Sequence, residues 1–369
     1  MKKLQLFLMG FILCFSVAGL LSAHDAFAEP GPADASQKVG GVESLEDRVE
    51  ALEKTLGEIE PTGKWFERIA ISGLVEVEAS YSDDEDTSDV DLAAAELNTD
   101  AKIADQVDGH VKIKYEDDDL FIDEGFITLT GPERLPAYLI AGRQYLPFGN
   151  FETHFVTDPN TLILGETDEG AVVVGYCIGE ELLDITVGAF NGRAQKAGDN
   201  DTIDSFVAAI RAHPFEGLSM GVSYTSNLAG SDSFNEQAVD PDNLDSLVGA
   251  WSAFVTYEFL ERFRLIGEYV GALDSFKTGE IYDAGDTKER EPSAWNVELG
   301  MTLMQDVSAA LRYGGSDDGS AFLPETQYGA VVNWGLFKNT NLALEYLHSE
   351  FEDDYQDIDT ITAQLAIEF

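Results

Sequence analysis

From Trp65 to Phe369 apolar and polar side chains alternate with a period of two, the signature of strands with one apolar and one polar face. In the first such segment Ile69, Ile71, Gly73, Val75, Val77, Ala79 and Tyr81 share one face; Ser72, Leu74, Glu76, Glu78 and Ser80 share the other. Ile103, Val107, Val111, Ile113 and Tyr115 oppose Asp108, His110, Lys112 and Lys114. Trp295, Val297, Leu299, Met301 and Leu303 oppose Asn296, Glu298 and Thr302, and Leu342, Leu344 and Tyr346 oppose Glu345. Many segments run 10–13 residues, enough for a tilted strand to cross a bilayer. In lipid an open sheet edge would strand backbone donors and acceptors, so the sheet must close. The pattern predicts an all-β fold, a 16-stranded antiparallel transmembrane β-barrel over 65–369.

The strands are predicted at 68–81, 89–98, 101–115, 120–130, 136–145, 167–178, 182–191, 201–213, 217–228, 245–259, 261–274, 293–304, 306–315, 325–336, 340–349 and 358–369. An even count brings both ends of the barrel chain to one side. The long linkers, among them 146–166, 229–244 and 275–292, then fall on one side, and brief turns such as 99–100, 260 and 305 on the other. That asymmetry sets the orientation, with long loops outward.

The N-terminal region follows other rules. Lys2 and Lys3, the apolar run from Leu4 to Leu21 and the small residues Ala26 and Ala28 predict a signal peptide over 1–28. A flexible linker over 29–41 follows, rich in Pro, Gly and Ala. Val42, Leu45, Val49, Leu52, Leu56 and Ile59 fall alternately three and four apart, the spacing of a short coiled-coil helix over 42–60 that Pro61 ends. So short a helix needs partners. Association of three chains is expected, a homotrimer; packing of the helix under the barrel is the alternative.

Composition sharpens the picture. The 369 residues carry 22 Lys and Arg against 69 Asp and Glu, a formal net charge of −47, yet retain 34 Gly, 13 Tyr and 22 Phe. Nucleic acid is excluded as a partner, because this charge repels phosphate. Acid clusters fall in the outward loops, as in Asp83-Asp84-Glu85-Asp86 and Glu116-Asp117-Asp118-Asp119. An acidic mouth concentrates cations, and it suits contact with lipopolysaccharide through bound divalent ions. Past the leader a single cysteine remains, Cys177, too few for a disulfide or a thiolate cluster. No metal, no cofactor and no catalytic set is expected, since His110, His154, His213 and His348 stand in no hydrolase or zinc motif.

Two groups of residues carry the expected function, diffusion of small polar solutes. Lys112, Lys114, Arg143, Arg211, Arg262, Arg264 and Arg312 fall on polar faces, and Lys112, Lys114, Arg143, Arg211, Arg264 and Arg312 are expected to form a basic patch in the lumen. With Glu76, Glu78, Glu268, Glu298 and Glu345 they would set a transverse field, and would also hold the wall together through ion pairs. The linker 146–166 is long, weakly acidic and aromatic. It is expected to fold inward and narrow the pore, with Phe148, Phe151 and Phe155 against the wall and Glu152, His154 and Asp158 near the passage. A loop packed over the rim, or at a subunit contact, is the alternative.

Gly142-Arg143-Gln144, followed by Pro147-Phe148-Gly149, resembles a segment of the phosphate-selective porins O and P. Together with the leader, the heptad helix, the predicted barrel and Val156-Thr157-Asp158-Pro159, the chain resembles the LbtU family of siderophore porins over nearly its whole mature length. The resemblance implies an outer-membrane channel for ferric siderophores; a general or anion porin is the alternative. Phe369, closing a strand with Ile361, Ala363, Leu365 and Ile367, resembles the signal read by the barrel assembly machinery. A structural anchor reaching peptidoglycan through the coiled coil is a further alternative.

Overall fold

The computed structural model describes residues 68–369 except 85, 117, 133, 180–181, 199–201, 241–242, 283–287 and 353–354. The leader, the linker and the heptad Val42, Leu45, Val49, Leu52, Leu56 and Ile59 lie outside the described residues. Sixteen strands, each antiparallel to its neighbours, close into one barrel. They are β1 (Ile69–Ser82), β2 (Thr87–Ala104), β3 (Val107–Glu116), β4 (Asp119–Thr130), β5 (Ala137–Tyr145), β6 (Asp168–Ile178), β7 (Leu183–Phe190) and β8 (Ser205–Phe215), then β9 (Leu218–Thr225), β10 (Ala250–Phe259), β11 (Phe263–Ala272), β12 (Ser293–Met304), β13 (Val307–Asp317), β14 (Thr326–Phe337), β15 (Thr340–Glu350) and β16 (Ile358–Glu368). The seam is an antiparallel ladder of β1 on β16, with Val77 opposite Leu365 and Tyr81 opposite Ile361.

The two faces separate as the alternation requires. Val172, Val174, Val187, Phe206, Leu299, Leu311, Tyr313 and Leu344 are exposed on the outside of the wall, whereas Glu268, Glu298 and Glu345 are buried on the inside. A soluble surface rarely carries an apolar patch of more than a few hundred Å². An apolar belt around a closed barrel is stable only in a medium that is itself apolar, so the wall spans a membrane.

One turn moves. The turn expected at 99–100 lies at Asp105–Gln106, because β2 continues through Asn98, Thr99 and Asp100 paired to β3. Asn-Thr-Asp has turn composition, but a continuous ladder outweighs local preference. Ile103 therefore belongs to the end of β2 rather than to β3.

The long loops are more than a hydrated rim. They hold two short helices, α1 (Asn160–Gly165) and α2 (Asp232–Ala238), and a 3-10 turn at Leu228–Gly230. Leu164, Phe190, Leu228, Phe234, Leu244, Phe276, Ile281 and Leu323 form a core there with the wall residues Val173, Val207, Val270 and Ala294. Phe234 packs edge-on against Phe276 at 5.8 Å. Loop chain thus fills part of the barrel at the long-loop end, with its apolar residues turned toward one another and the wall.

Candidate functional site: an inward loop and the passage beside it

The segment between β5 and β6 runs along the inner wall, held by side chains that the alternation points inward. Its base is closed by the Leu146 N–H donating to the Thr167 carbonyl at 2.9 Å. Gly149 donates its N–H to Ser223 Oγ on β9 at 2.9 Å, and Asn150 and Phe151 donate theirs to the two oxygens of Glu268 on β11 at 2.7 and 2.8 Å. Further on, Glu298 of β12 accepts the His154 N–H at 2.7 Å and the Thr153 hydroxyl at 2.7 Å. Asn333 of β14 donates to the His154 carbonyl at 3.1 Å. Glu345 of β15 accepts the Val156 N–H at 2.6 Å and the Thr157 hydroxyl at 2.5 Å. The loop crosses the inner wall from β9 to β15, and one carboxylate after another takes the backbone N–H groups that a turn leaves unpaired.

Two local features let the chain follow this path. Gly149 has φ +75°, and a Cβ there would stand 2.3 Å from the Phe151 ring. Gly300 faces the lumen beneath His154, where a Cβ would lie 2.4 Å from the imidazole. Both sites exclude a side chain for a stated reason: backbone hand in the first, close approach in both. Phe151 itself holds φ +56°, a strained value for an aromatic residue. Its N–H bond to Glu268 and its packing against the loop core fix it there.

Arg312 ties wall to loop. Its side chain is fully buried; Nε meets Glu298 Oε1 at 3.0 Å, and Nη2 donates to the Thr157 carbonyl at 2.9 Å. The Phe155 ring covers the guanidinium at 4.3 Å. Phe148 is buried in the loop core, and Phe155 in a second cluster with Ala310, Val331, Ala343 and Leu347. Glu152 is exposed and pairs with Arg264, Asp158 is exposed, and His154 is half-buried with Nδ1 3.0 Å from Glu298.

Opposite the loop, a cavity of about 470 Å³ is bounded by β1–β3 and by loop residues including Phe155, Val156 and Asp158. Six carboxyl groups line it (Glu76, Glu78, Glu96, Glu116, Asp158 and Glu166) against two ammonium groups, Lys112 and Lys114. Lys112 lies 2.8 Å from Asp123 and Lys114 lies 2.8 Å from Glu116. Burial, reinforced by the nearby Asp158 and Asp232, pushes the Glu166 carboxyl up to about 8.

The six cations expected to make one basic patch do not come together. They sit on β3, β5, β8, β11 and β13. Arg143 pairs with Asp168 at 2.7 Å, Arg264 with Glu152, and Arg312 with Glu298. Only Lys112 and Lys114 share the acidic cavity. In a chain with three times as many acids as bases, Arg143, Arg264 and Arg312 are each neutralised where they stand, so no patch of one sign accumulates. The alternation places Glu268, Glu298 and Glu345 in the lumen, as field-setting charges and wall-bracing partners, but does not show that they anchor the loop. A signal was present for two of them. Glu298 and Glu345 are each the one charged residue on the inward face of their strand, where an unpaired charge would be costly, so a partner was implied but not its identity. Among the described residues no group of His, Cys, Asp and Glu is arranged to hold a metal ion.

The chain resembles several solved outer-membrane barrels in fold. Among solved structures it superposes on the outer membrane channel DcaP of Acinetobacter baumannii with a TM-score of 0.60 at 14% identity, covering 82% of this chain and 97% of that one. Salmonella typhi OmpF, in a complex with daunomycin, gives 0.59 at 12% identity, covering 82% and 97%. An anion-selective porin from Comamonas acidovorans gives 0.59 at 12%, covering 82% and 99%. The fold is the porin fold. In sequence, the chain is 26% identical over 300 residues to a UPF0422 protein of Coxiella burnetii, covering 76% of this chain and 64% of that protein. It is 25% identical over 319 residues to a UPF0422 protein of Legionella pneumophila, covering 76% and 58%. The chain thus spans less than two thirds of the length of these curated relatives. No family model matches it.

Proposed function

We propose that the protein is an outer-membrane porin, through which small polar solutes diffuse passively and cations pass in preference to anions. The observation that carries this reading is the inward loop. Seated on Ser223, Glu268, Glu298 and Glu345, it leaves a hydrophilic passage against β1–β3 where five carboxylates, and Glu166 as a sixth above about pH 8, face two ammonium groups. In a narrow, partly desolvated lumen such an imbalance draws cations in and repels anions, and it acts at closer range than the mouth charges that salt screens. One of the similar barrels is an anion-selective porin; the charge lining this passage argues for the opposite sign here. Lipid and lipopolysaccharide around the apolar belt, delivery by the barrel assembly machinery, and a trimer belong to the same reading.

Deleting residues 150–160 and recording single channels in planar bilayers tests it. Conductance should rise when the loop is removed; unchanged conductance would mean that the loop does not bound the passage. The resemblance of residues 142–159 supports a narrower version, uptake of a ferric siderophore. Competition of a ferric siderophore with potassium current decides between the two, since a general pore shows no saturable block.

A further inference from the structure

A second hollow, of about 350 Å³, lies between the base of the inward loop and β5–β10. The wall contributes Tyr138, Asp184, Arg211, Ser223 and Phe254. Five of the six cations expected in the lumen stand within ion-pair distance of a carboxylate, whereas Arg211 makes no ion pair among the described residues. Its guanidinium lies over the Phe254 ring at 5.3 Å, and its side is open to solvent. Its register partner across the ladder is Asp184. Opposite charges at facing strand positions ordinarily close on each other. Here the Asp184 carboxylate instead accepts the Tyr138 hydroxyl at 2.8 Å. A positive and a negative group are therefore presented separately in one hollow, whose volume suits a small molecule.

We infer that this hollow is a binding subsite for small zwitterions of amino-acid size, with Arg211 taking the carboxylate and Asp184 taking the ammonium. A guanidinium fork matches a carboxylate in two parallel hydrogen bonds, and the aromatic ring beneath it holds its plane. A simple anion would meet Asp184 as a like charge in the same hollow, and a simple cation would meet Arg211. A zwitterion satisfies both. Tyr145 and Glu166 line this hollow and the acidic passage alike, so the two adjoin. A solute drawn through the passage by its ammonium group next encounters a guanidinium for its carboxylate. The inference rests on the channel reading for traffic between the hollows, but not for binding.

Binding is therefore measured on the detergent-solubilised, folded barrel by saturation-transfer NMR. L-Alanine is the probe, with acetate and ethylammonium as its separated halves. L-Alanine should bind, and each half should bind about tenfold more weakly, the worth of one charge-assisted contact. Arg211→Gln and Asp184→Asn should each weaken L-alanine by about tenfold with the β-sheet circular dichroism unchanged. Arg211→Lys, which keeps the charge without the fork, should fall between. Acetate binding as tightly as L-alanine would reassign the hollow to anions and overturn the proposal. So would L-alanine binding that is absent from the native barrel or indifferent to Arg211→Gln. Bound L-alanine in a barrel that passes no current would instead sink the channel reading and leave the subsite standing.

Discussion

Glu345, deep in β15, receives the backbone N–H of Val156 at 2.6 Å across a separation of 189 residues in the chain. The same carboxylate takes the Thr157 hydroxyl at 2.5 Å and its N–H at 3.2 Å. The far limb of the inward loop hangs on this residue. Glu345→Ala strips three donors of their acceptor, at about 1.5–3 kcal/mol for each hydrogen bond to a charged group. The expected outcome is a higher single-channel conductance with rapid flicker as the limb leaves the wall. Glu345→Gln, which keeps one acceptor oxygen, should lie between it and the native channel. Equal traces for all three would show that the loop is held elsewhere.

Arg312 and Glu298 are both fully buried and 3.0 Å apart. Arg312→Met leaves Glu298 charged and without its partner, and breaking a buried pair in this way costs about 3–5 kcal/mol. The drop should appear as a lower midpoint of thermal unfolding in detergent. Adding Glu298→Gln to Arg312→Met should restore part of the loss, because the stranded charge goes with it. A double variant less stable than the sum of its singles would contradict this account of the pair.

The pH dependence follows from Glu166. Its carboxyl is pushed up to about 8 by burial, so it is neutral below that pH and ionised above. Because the folded value exceeds the ordinary glutamate value of about 4.5, the folded barrel holds the extra proton between about 4.5 and 8, and this group's contribution to stability falls as pH rises through that window. The passage gains a negative charge over its upper part. Cation preference in bilayers should therefore increase between about pH 6.5 and 9. Glu166→Gln should flatten the rise, and a curve that is unaltered in that variant would assign it to another group.

At the seam, Gly73 and Phe369 exchange both backbone hydrogen bonds, at 2.9 and 3.0 Å, and a Cβ on Gly73 would stand 2.3 Å from the Phe369 ring. Removing Phe369 should lower the amount of heat-resistant folded barrel recovered from membranes. Gly73→Val should do the same by displacing the ring, and adding Phe369→Ala to Gly73→Val should lower recovery little further. Undiminished recovery without Phe369 would show that closure does not depend on it.

The residues that were legible in the sequence are those whose information is local. Val297, Leu299, Met301 and Leu303 against Glu298 and Thr302 define a half-buried strand by themselves, and all sixteen strands followed from runs of this kind. The Asp105–Gln106 turn was not legible, since neither residue is a Gly, Pro or Asn while Asn98-Thr99-Asp100 imitates a turn inside a ladder. The residues of the 146–166 segment stood out by composition. Their anchors did not, because Glu268 and Glu298 meet residues 117 and 144 positions away, and register and loop path decide such contacts. The loop core of Phe234, Phe276 and Leu323 was masked in the same way by the acids that flank it in sequence.

The sign of the charge that passes is the most direct test of the whole account. The reversal potential of the reconstituted barrel across a potassium chloride gradient measures it. Five carboxylates, joined by Glu166 above about pH 8, against two ammonium groups in the passage predict a potential on the potassium side of zero. A potential on the chloride side, or membranes that show no current steps at all, would contradict it.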